Sequence, residues 1–337
     1  KDDTGTMCPS YMVTREEMHA TRGRAHLLFE MLQGDPMTNG WRSEPVREAL
    51  DLCLACKGCR SECPMNVDMA TYKAEFLSHY YEGRLRPRHA YAMGLITWWA
   101  RLASIAPRVV NAITHLPGIG KAFQALGGIS TQRAMPYFAP ETFKSWWRRR
   151  APRNQGYPRV LLWPDTFNNH FHPQTAIAAV EVLEYAGFQI VVPEQSLCCG
   201  RPLYDFGMLH TAKAMWREIL DALRPEIEAG TPIVGLEPSC VAAFRDELVN
   251  LFPMDENARR LSDSTYILSE FLMKKAPGFR VPALRRKAIV QKHCHHDHVM
   301  KYIEESKLLQ EMGLDFDLLD AGCCGMAGSF GFEAEHY

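Results

Sequence analysis

From Arg159 onward, short apolar runs alternate with amphipathic stretches. Val160-Leu-Leu-Trp163 reads as a buried strand, Gln174 to Ala186 as a helix closed at Gly187, and Phe188-Gln-Ile-Val-Val192 as a second strand. Met208 to Leu223 returns to helical spacing, and Ile233-Val-Gly-Leu236 is a third strand leading to Pro238-Ser-Cys240. Strands separated by helical segments of this length predict parallel βαβ units. The order then recurs. Lys287-Ala-Ile-Val290 is a strand, Val299 to Met312 a helix closed by Gly313, and Asp315 to Leu319 a strand. Each series runs into a Cys-Cys-Gly, at Cys198-Cys199-Gly200 and Cys323-Cys324-Gly325, 125 residues apart. The repeat predicts an internal duplication whose halves, about 157–252 and 265–337, pack about a pseudo-twofold axis.

Residues 1–85 carry helical spacing instead. A helix is expected from Thr14 to Leu32, with Thr14 and Glu17 forming a capping box. Another opens at Glu44-Pro45 and runs into Cys53, and a third continues from Asp68. The connector, 86–156, is helical and punctuated by Pro and Gly, and Trp146 to Gly156 reads as a linker. Its most apolar stretch, Ala90 to Ala100 with Trp98-Trp99, spans eleven residues, too few to cross a bilayer. It is either an interfacial amphipathic segment or a core-packing helix. The second reading is preferred, because apolar stripes usually face the interior.

At 337 residues the chain should hold two or three domains. With 47% hydrophobic and 23% charged residues it is globular. A net charge of −1 gives no electrostatic reason to expect nucleic acid. Eleven cysteines, clustered and odd in number, suit metal or redox chemistry rather than a secreted disulfide framework.

The clustering is specific. Cys53-Leu-Ala-Cys56-Lys-Gly-Cys59-Arg-Ser-Glu-Cys63-Pro64 has the Cys-x2-Cys-x2-Cys-x3-Cys-Pro spacing of a cubane iron–sulfur run. Cys8-Pro9 looks like the tail of a second run. Under the ligand-swapping rule Cys8 completes the 4Fe–4S cluster of Cys53, Cys56 and Cys59. Cys63 then serves a second cluster whose other cysteines lie upstream of Lys1. Lysine at the start and Tyr337 at the end, twelve residues past a Cys-Cys-Gly, suggest an excerpt of a longer protein. In the α/β part, adjacent cysteines after a strand place sulfurs at the carboxyl edge of a sheet, where such folds bind ligands. Cys198, Cys199, Cys240, Cys294, Cys323 and Cys324 are therefore candidate ligands for a soft metal or a further cluster at one crevice, four or more of them acting together. His295 is a candidate ligand, sulfide hydrogen-bond partner or proton shuttle. Of His293, His295, His296 and His298, at least two are expected to be ordinary surface residues. Asp165, His170 and Glu237 also fall at strand ends and could line the crevice.

A ferredoxin run followed by two Cys-Cys-Gly halves resembles the iron–sulfur subunits of glycerol-3-phosphate and glycolate dehydrogenases, and the cysteine-rich subunit of heterodisulfide reductase. Gly5-Thr-Met-Cys-Pro-Ser-Tyr11 through Thr21-Arg-Gly-Arg-Ala25 is similar to the C-terminal half of large bacterial FAD-linked oxidases, a group with D-2-hydroxyglutarate and D-lactate dehydrogenases. The resemblance implies an α-helical ferredoxin over 1–85, then a duplicated Rossmann-like α/β cysteine-rich domain over 157–337. It implies an electron-transfer role, with FAD and the hydroxyacid site in an upstream dehydrogenase domain or partner subunit, and a quinone or another carrier as acceptor. No residue of this chain is singled out as catalytic. The expected setting is cytoplasmic, with a peripheral position at the inner membrane face and homo-oligomerisation left open. The family pattern is incomplete: Asp165 stands where a cysteine is typical, and Ala243 where Cys240 would have its pair. This points to a smaller or mixed site. Two other readings remain: thiol–disulfide chemistry at the Cys-Cys-Gly crevice, and a metal that only holds the halves together.

Overall fold

The run at 159–163 is apolar throughout because it becomes a central strand. In the computed structural model, which describes residues 5–337, β1 (Arg159–Trp163) pairs in parallel with β2 (Gln189–Val191) on one side and β3 (Ile233–Gly235) on the other. A fourth strand, β4 (Thr265–Ile267), completes a sheet of order β2-β1-β3-β4. Side-chain alternation divides β1 between two cores. Val160 and Leu162 pack with Ala176, Val180, Phe188 and Phe271 on one face. Leu161 and Trp163 pack with Trp216, Ile219 and Phe244 on the other.

β5 (Lys287–Gln291) and β6 (Asp315–Leu319) pair in parallel over five residues but form a separate two-stranded sheet. The helix expected from Val299 to Met312 is split into Cys294–Met300 and Ile303–Glu311. Lys301 and Tyr302 interrupt it with φ of 68° and 47°. The architecture is thus mixed helix and sheet, with two small parallel sheets behind a helical cysteine-bearing region.

In that region the helix expected from Thr14 to Leu32 is also broken, into Pro9–Thr14, a 3-10 turn Glu17–His19 and Thr21–Gln33. No Thr14–Glu17 capping box forms. The Thr14 hydroxyl donates to Ser10 O and accepts from Glu16 N, while Arg15 turns the chain at φ 59°. The break brings Thr21 back to Cys8. The helix at Asp68 begins as expected, the carboxylate accepting from Thr71 N. That helix, Met69–Tyr80, contributes Ala74 to the apolar cluster of Trp163 and Trp216, so the two regions share one core.

The connector differs from expectation at two places. Trp146 and Trp147 lie on a helix, Phe143–Arg149, that packs against the β1 core, and Arg150 is ion-paired to Glu184. The segment read as a linker is therefore docked at its start. The apolar stretch 90–100 spans helices Arg88–Gly94 and Ile96–Ala103. Ala90, Thr97 and Ala100 face inward, but Trp98 and Trp99 are 37% and 47% exposed, against the core-packing reading. Among the described residues no helix is long and apolar enough to cross a membrane.

Candidate metal centre

Cys8, Cys53, Cys56 and Cys59 line a single cavity together with Thr21, Arg24, Ala55 and Lys57. All four cysteines are buried. Cys8 reaches the site from the other end of the region. Its sulfur accepts the Thr21 N–H at 3.0 Å and lies 2.9 Å from the Thr21 hydroxyl. Glu62 holds the approaching segment by accepting from Thr6 N and Met7 N. Cys63 is only half-buried and does not line the cavity.

The loop between these cysteines is strained in a way that suits a ligand. Ala55 and Lys57 take left-handed φ of 48° and 64° without being glycine, at about 1–2 kcal/mol each. The backbone N–H groups of Gly58 and Met69 meet the Cys56 and Cys59 sulfurs, as backbone donors do in the cradle of an anionic group or cluster. Burial pushes the Cys59 thiol up to about 11 and the Cys56 thiol higher still. Thiols in such a place stay protonated unless a cation compensates them. Four sulfurs, a backbone cradle and this electrostatic demand fit a 4Fe–4S cluster.

The six remaining candidate cysteines fall into two groups. Cys199 and Cys240 have sulfurs 2.8 Å apart, with Cys198 alongside. Cys198 is raised by its contact with Cys199 and by burial. In Cys240 contact with Cys199 lowers the pKa, but burial, Glu237 and Asp165 raise it more. The second group is Cys294 with Cys323 and Cys324, where contact with Cys323 and then burial raise Cys294. Cys56 of the cubane loop lies close enough for Cys323 to disfavour its thiolate and for it to disfavour that of Cys294, whereas contact with Cys294 lowers Cys323 to about 6. Four sulfurs at one point were expected; the structure brings together three and three. Among the described residues, no three His, Cys, Asp or Glu side chains stand in geometry to hold a metal ion.

The glycines of both motifs share one conformation, φ 75° at Gly200 and at Gly325. At Gly200 a Cβ would sit 2.7 Å from Trp216 Nε1, which donates to Cys199 O.

The expected polar residues take varied places. Asp165 is buried and caps the helix Thr166–His170 by accepting from Phe167 N and Asn168 N; burial lifts its carboxyl to about 6. Glu237 accepts from Cys240 N at 2.7 Å. His170 faces the connector instead, its ring bonded to Ser104 and Asn169, and burial lowers it to about 4. His295 is not free to act as a ligand here. Nε2 donates to Ala55 O at 3.0 Å and Nδ1 accepts from the Ser239 hydroxyl at 3.0 Å. Of the four histidines only His293 is exposed. His296 packs edge-on against Tyr302, and His298 bonds Ser61 at 2.7 Å. Two surface histidines were expected; contact with the ferredoxin region turns His298 inward.

Residues that no motif announced join the two regions. Lys57 Nζ donates to Asp68 and Asp246, each at 2.7 Å, and lies 3.3 Å from Glu247. Arg201, directly after Cys-Cys-Gly, pairs with Glu247 and Asp205 and reaches Ala55 O. Asp246 and Glu247 sit in a π-helical turn, Ala243–Glu247, a form frequent at functional sites. The available signal was a lysine inside a cluster loop and an arginine after a metal motif, both costly to bury unpaired.

Comparison with known proteins agrees with this division. Residues 5–67 match the 4Fe-4S dicluster domain and residues 165–245 the cysteine-rich domain, the latter beginning at Asp165. D-2-hydroxyglutarate dehydrogenase of Escherichia coli is 24% identical over 100% of this chain and 37% of its own length. The glycolate oxidase iron-sulfur subunit of Escherichia coli is 26% identical over 96% of this chain and 77% of its own. Lactate utilization protein A of Bacillus velezensis is 33% identical over 51% of this chain and 74% of its own. The chain thus spans little more than a third of the D-2-hydroxyglutarate dehydrogenases it matches. No solved structure matches it. With its cysteine loop and its strand-end Cys-Cys-Gly in this order, the chain carries a 4Fe-4S dicluster domain and a cysteine-rich domain, and it belongs to the family of lactate utilization protein A.

Proposed function

We propose that this chain is the electron-transfer iron–sulfur module of an FAD-dependent D-2-hydroxyacid dehydrogenase, of the D-2-hydroxyglutarate, D-lactate or glycolate class. The observation that carries the reading is the convergence of Cys8 with Cys53, Cys56 and Cys59 on one buried cavity, next to Cys294 and Cys323. A 4Fe–4S cluster held by those four cysteines supplies one-electron redox chemistry. Around it, Thr21 orients Cys8, and His295 and Arg201 hold the Ala55 carbonyl. Met69 and Ala70 wall the cavity with apolar surface, which limits water.

Cys63 would serve a second cluster with cysteines outside this chain. The Cys-Cys-Gly sulfurs, Cys198, Cys199 and Cys240 or Cys294, Cys323 and Cys324, would hold a further metal or cluster; the closeness of the sulfurs within each group and the raised thiol pKa values of Cys198, Cys199, Cys240 and Cys294 support this. The matching parallel pairs and glycine conformations support a duplicated origin for the two halves. FAD and the hydroxyacid would bind in a dehydrogenase domain or partner subunit, with a quinone or another carrier as acceptor. The setting would be cytoplasmic, peripheral to the inner membrane face.

Iron and sulfide analysis with EPR on anaerobically purified protein tests the ligand set. Cys8→Ser and Cys53→Ser should lose the same cluster signal, whereas Cys63→Ser should leave it. Full iron and an unchanged spectrum in Cys8→Ser would refute the assignment. The close Cys199–Cys240 contact favours one second reading, a redox-active dithiol. Titration of both as free thiols in fully iron-loaded protein, with a disulfide forming on oxidation, would favour it over metal binding.

A further inference from the structure

Between Glu82 and Glu141 there is no Asp or Glu, although the chain has 39 acidic residues in 337. The same stretch contains Arg84, Arg86, Arg88, Arg101, Arg108, Lys121 and Arg133. Three short helices within it, Ile96–Ala103, Pro107–Thr114 and Ile119–Leu126, are built inside out. Their inward positions are small or polar. Thr97, Ala100 and Ala103 are buried on the first, and Gly120 and Gln124 on the third. Gln124 donates to Ser130 O and Arg133 O, and Asn111 of the middle helix bonds both backbone groups of Phe138. Their outward positions are large and apolar. Trp98, Trp99 and Leu102 project from the first helix. Ile105, Val109, Ile113 and Leu116 continue at helical spacing, with Ile105 79% exposed. Ile119, Phe123 and Leu126 form the stripe of the third.

A helix normally turns its apolar stripe to the core; here all three turn it to the outside. A contiguous apolar face of this kind marks an interaction surface. The charge pattern identifies the partner. Arg86, Arg101 and Arg133 donate to carbonyls of the protein itself, but Arg84, Arg88, Arg108 and Lys121 are exposed. With no carboxylate over 58 consecutive residues they complement an anionic plane, and tryptophans beside basic residues are the composition of a bilayer interface. The three helices are eight residues each, about 12 Å long, so they can lie in the headgroup layer but not span the bilayer.

We propose that this face seats the protein on an anionic lipid bilayer, with the stripes of residues 96–126 at the acyl boundary and the exposed Arg108 and Lys121 on lipid phosphates. The proposal sharpens the peripheral setting of the preceding reading and does not depend on its clusters.

The test is cosedimentation of the iron-loaded protein with vesicles containing phosphatidylglycerol, against pure phosphatidylcholine, at low and high salt. Binding should be at least about tenfold tighter to the anionic vesicles and should weaken with salt. Leu102→Asn with Val109→Asn and Phe123→Asn should weaken it by at least roughly 30-fold. Arg108→Gln and Lys121→Gln should each weaken it about fivefold. All five positions are exposed, so iron content and melting temperature should stay at the unmutated values, which keeps loss of binding separate from loss of clusters. Absence of vesicle binding, or binding that the triple variant leaves intact, overturns the proposal. Two results identify a different occupant and overturn it equally. One is dimerisation that the triple variant abolishes, and the other is strong hydrogen-exchange protection of 96–126 without vesicles.

Discussion

Replacing Lys57 by methionine should be among the most destabilising single changes in this protein. Lys57 is 1% exposed. Burial alone would discharge it, but Glu247, Asp68 and Asp246 outweigh that and hold it charged. In the network around it, Lys57, Arg60 and Arg201 face Asp68, Asp205, Asp246 and Glu247. Lys57→Met leaves two cations for four carboxylates, and the Asp246 and Glu247 side chains are 2% and 0% exposed. Methionine nearly fills the space of the lysine stem, so the loss is electrostatic rather than a cavity. Removing one partner of a buried pair costs about 3–5 kcal/mol. For a chain of 337 residues that lowers the melting temperature by roughly 4–7 °C.

Arg60 offers the internal control. It touches the same Asp246, but its side chain is 43% exposed, so water can replace it and Arg60→Met should cost only about 0–1 kcal/mol. Adding Asp246→Asn to Lys57→Met should restore about 1–2 kcal/mol, since the two changes share one network. Urea titration followed by tryptophan fluorescence measures all four proteins. A Lys57→Met variant within about 1 kcal/mol of the unmutated protein would refute the reasoning. So would an Arg60→Met variant that costs as much as Lys57→Met.

Gly200→Ala should cost about 2–3 kcal/mol, combining left-handed strain with displacement of the Trp216 indole, 2.7 Å from the added carbon. Gly325→Ala has the same φ but no atom within 4 Å, so it should cost only the strain, about 1–2 kcal/mol; equal urea midpoints would contradict this. His336 gives a pH signature: burial works against its charge, but Asp51 and Glu333 raise its pKa to about 9 from an unfolded value of 6.5. Its stabilisation is therefore complete below pH 6.5 and disappears as pH rises through 9. Because Asp51 is 43% exposed, solvent screening reduces the effect to about 1–2 kcal/mol. His336→Gln should lose this amount at pH 6 and almost nothing at pH 10, and a pH-independent difference would exclude the mechanism.

What could be read from the sequence was what is local. β1, β2, β3, β5 and β6 were legible as apolar runs between helices, and the cubane loop through its cysteine spacing. Thr265-Tyr266-Ile267 was not, because three residues carry no period; they become β4 through pairing with β3. The break at Thr14–Thr21 was missed because helical spacing continues through it, while Cys8 and Thr21 meet only in three dimensions. The helices at 96–126 were misjudged for a related reason. Periodicity shows that a helix has an apolar face, not which way it points.

The least legible part of the site is also the part that unites it. Lys57 meets Asp246 across 189 residues and Arg201 meets Ala55 across 146, and no spacing rule connects such pairs. Yet every group that fixes the cubane loop from the other side follows a cysteine motif closely. Arg201 comes directly after Cys198-Cys199-Gly200, and His295 directly after Cys294; Asp246 and Glu247 close the π-helical turn within the helical run that begins at Pro238 beside Cys240. The motifs at Cys199, Cys240 and Cys294 thus each bring a polar side chain to the Cys53–Cys59 loop. The strained backbone at Ala55 and Lys57 needs such outside support, since left-handed non-glycine residues persist only where surrounding contacts over-determine them. His295 and Arg201 hold the carbonyl of the first, and three carboxylates hold the side chain of the second. The cysteine-rich half therefore holds the Cys53–Cys59 loop in shape.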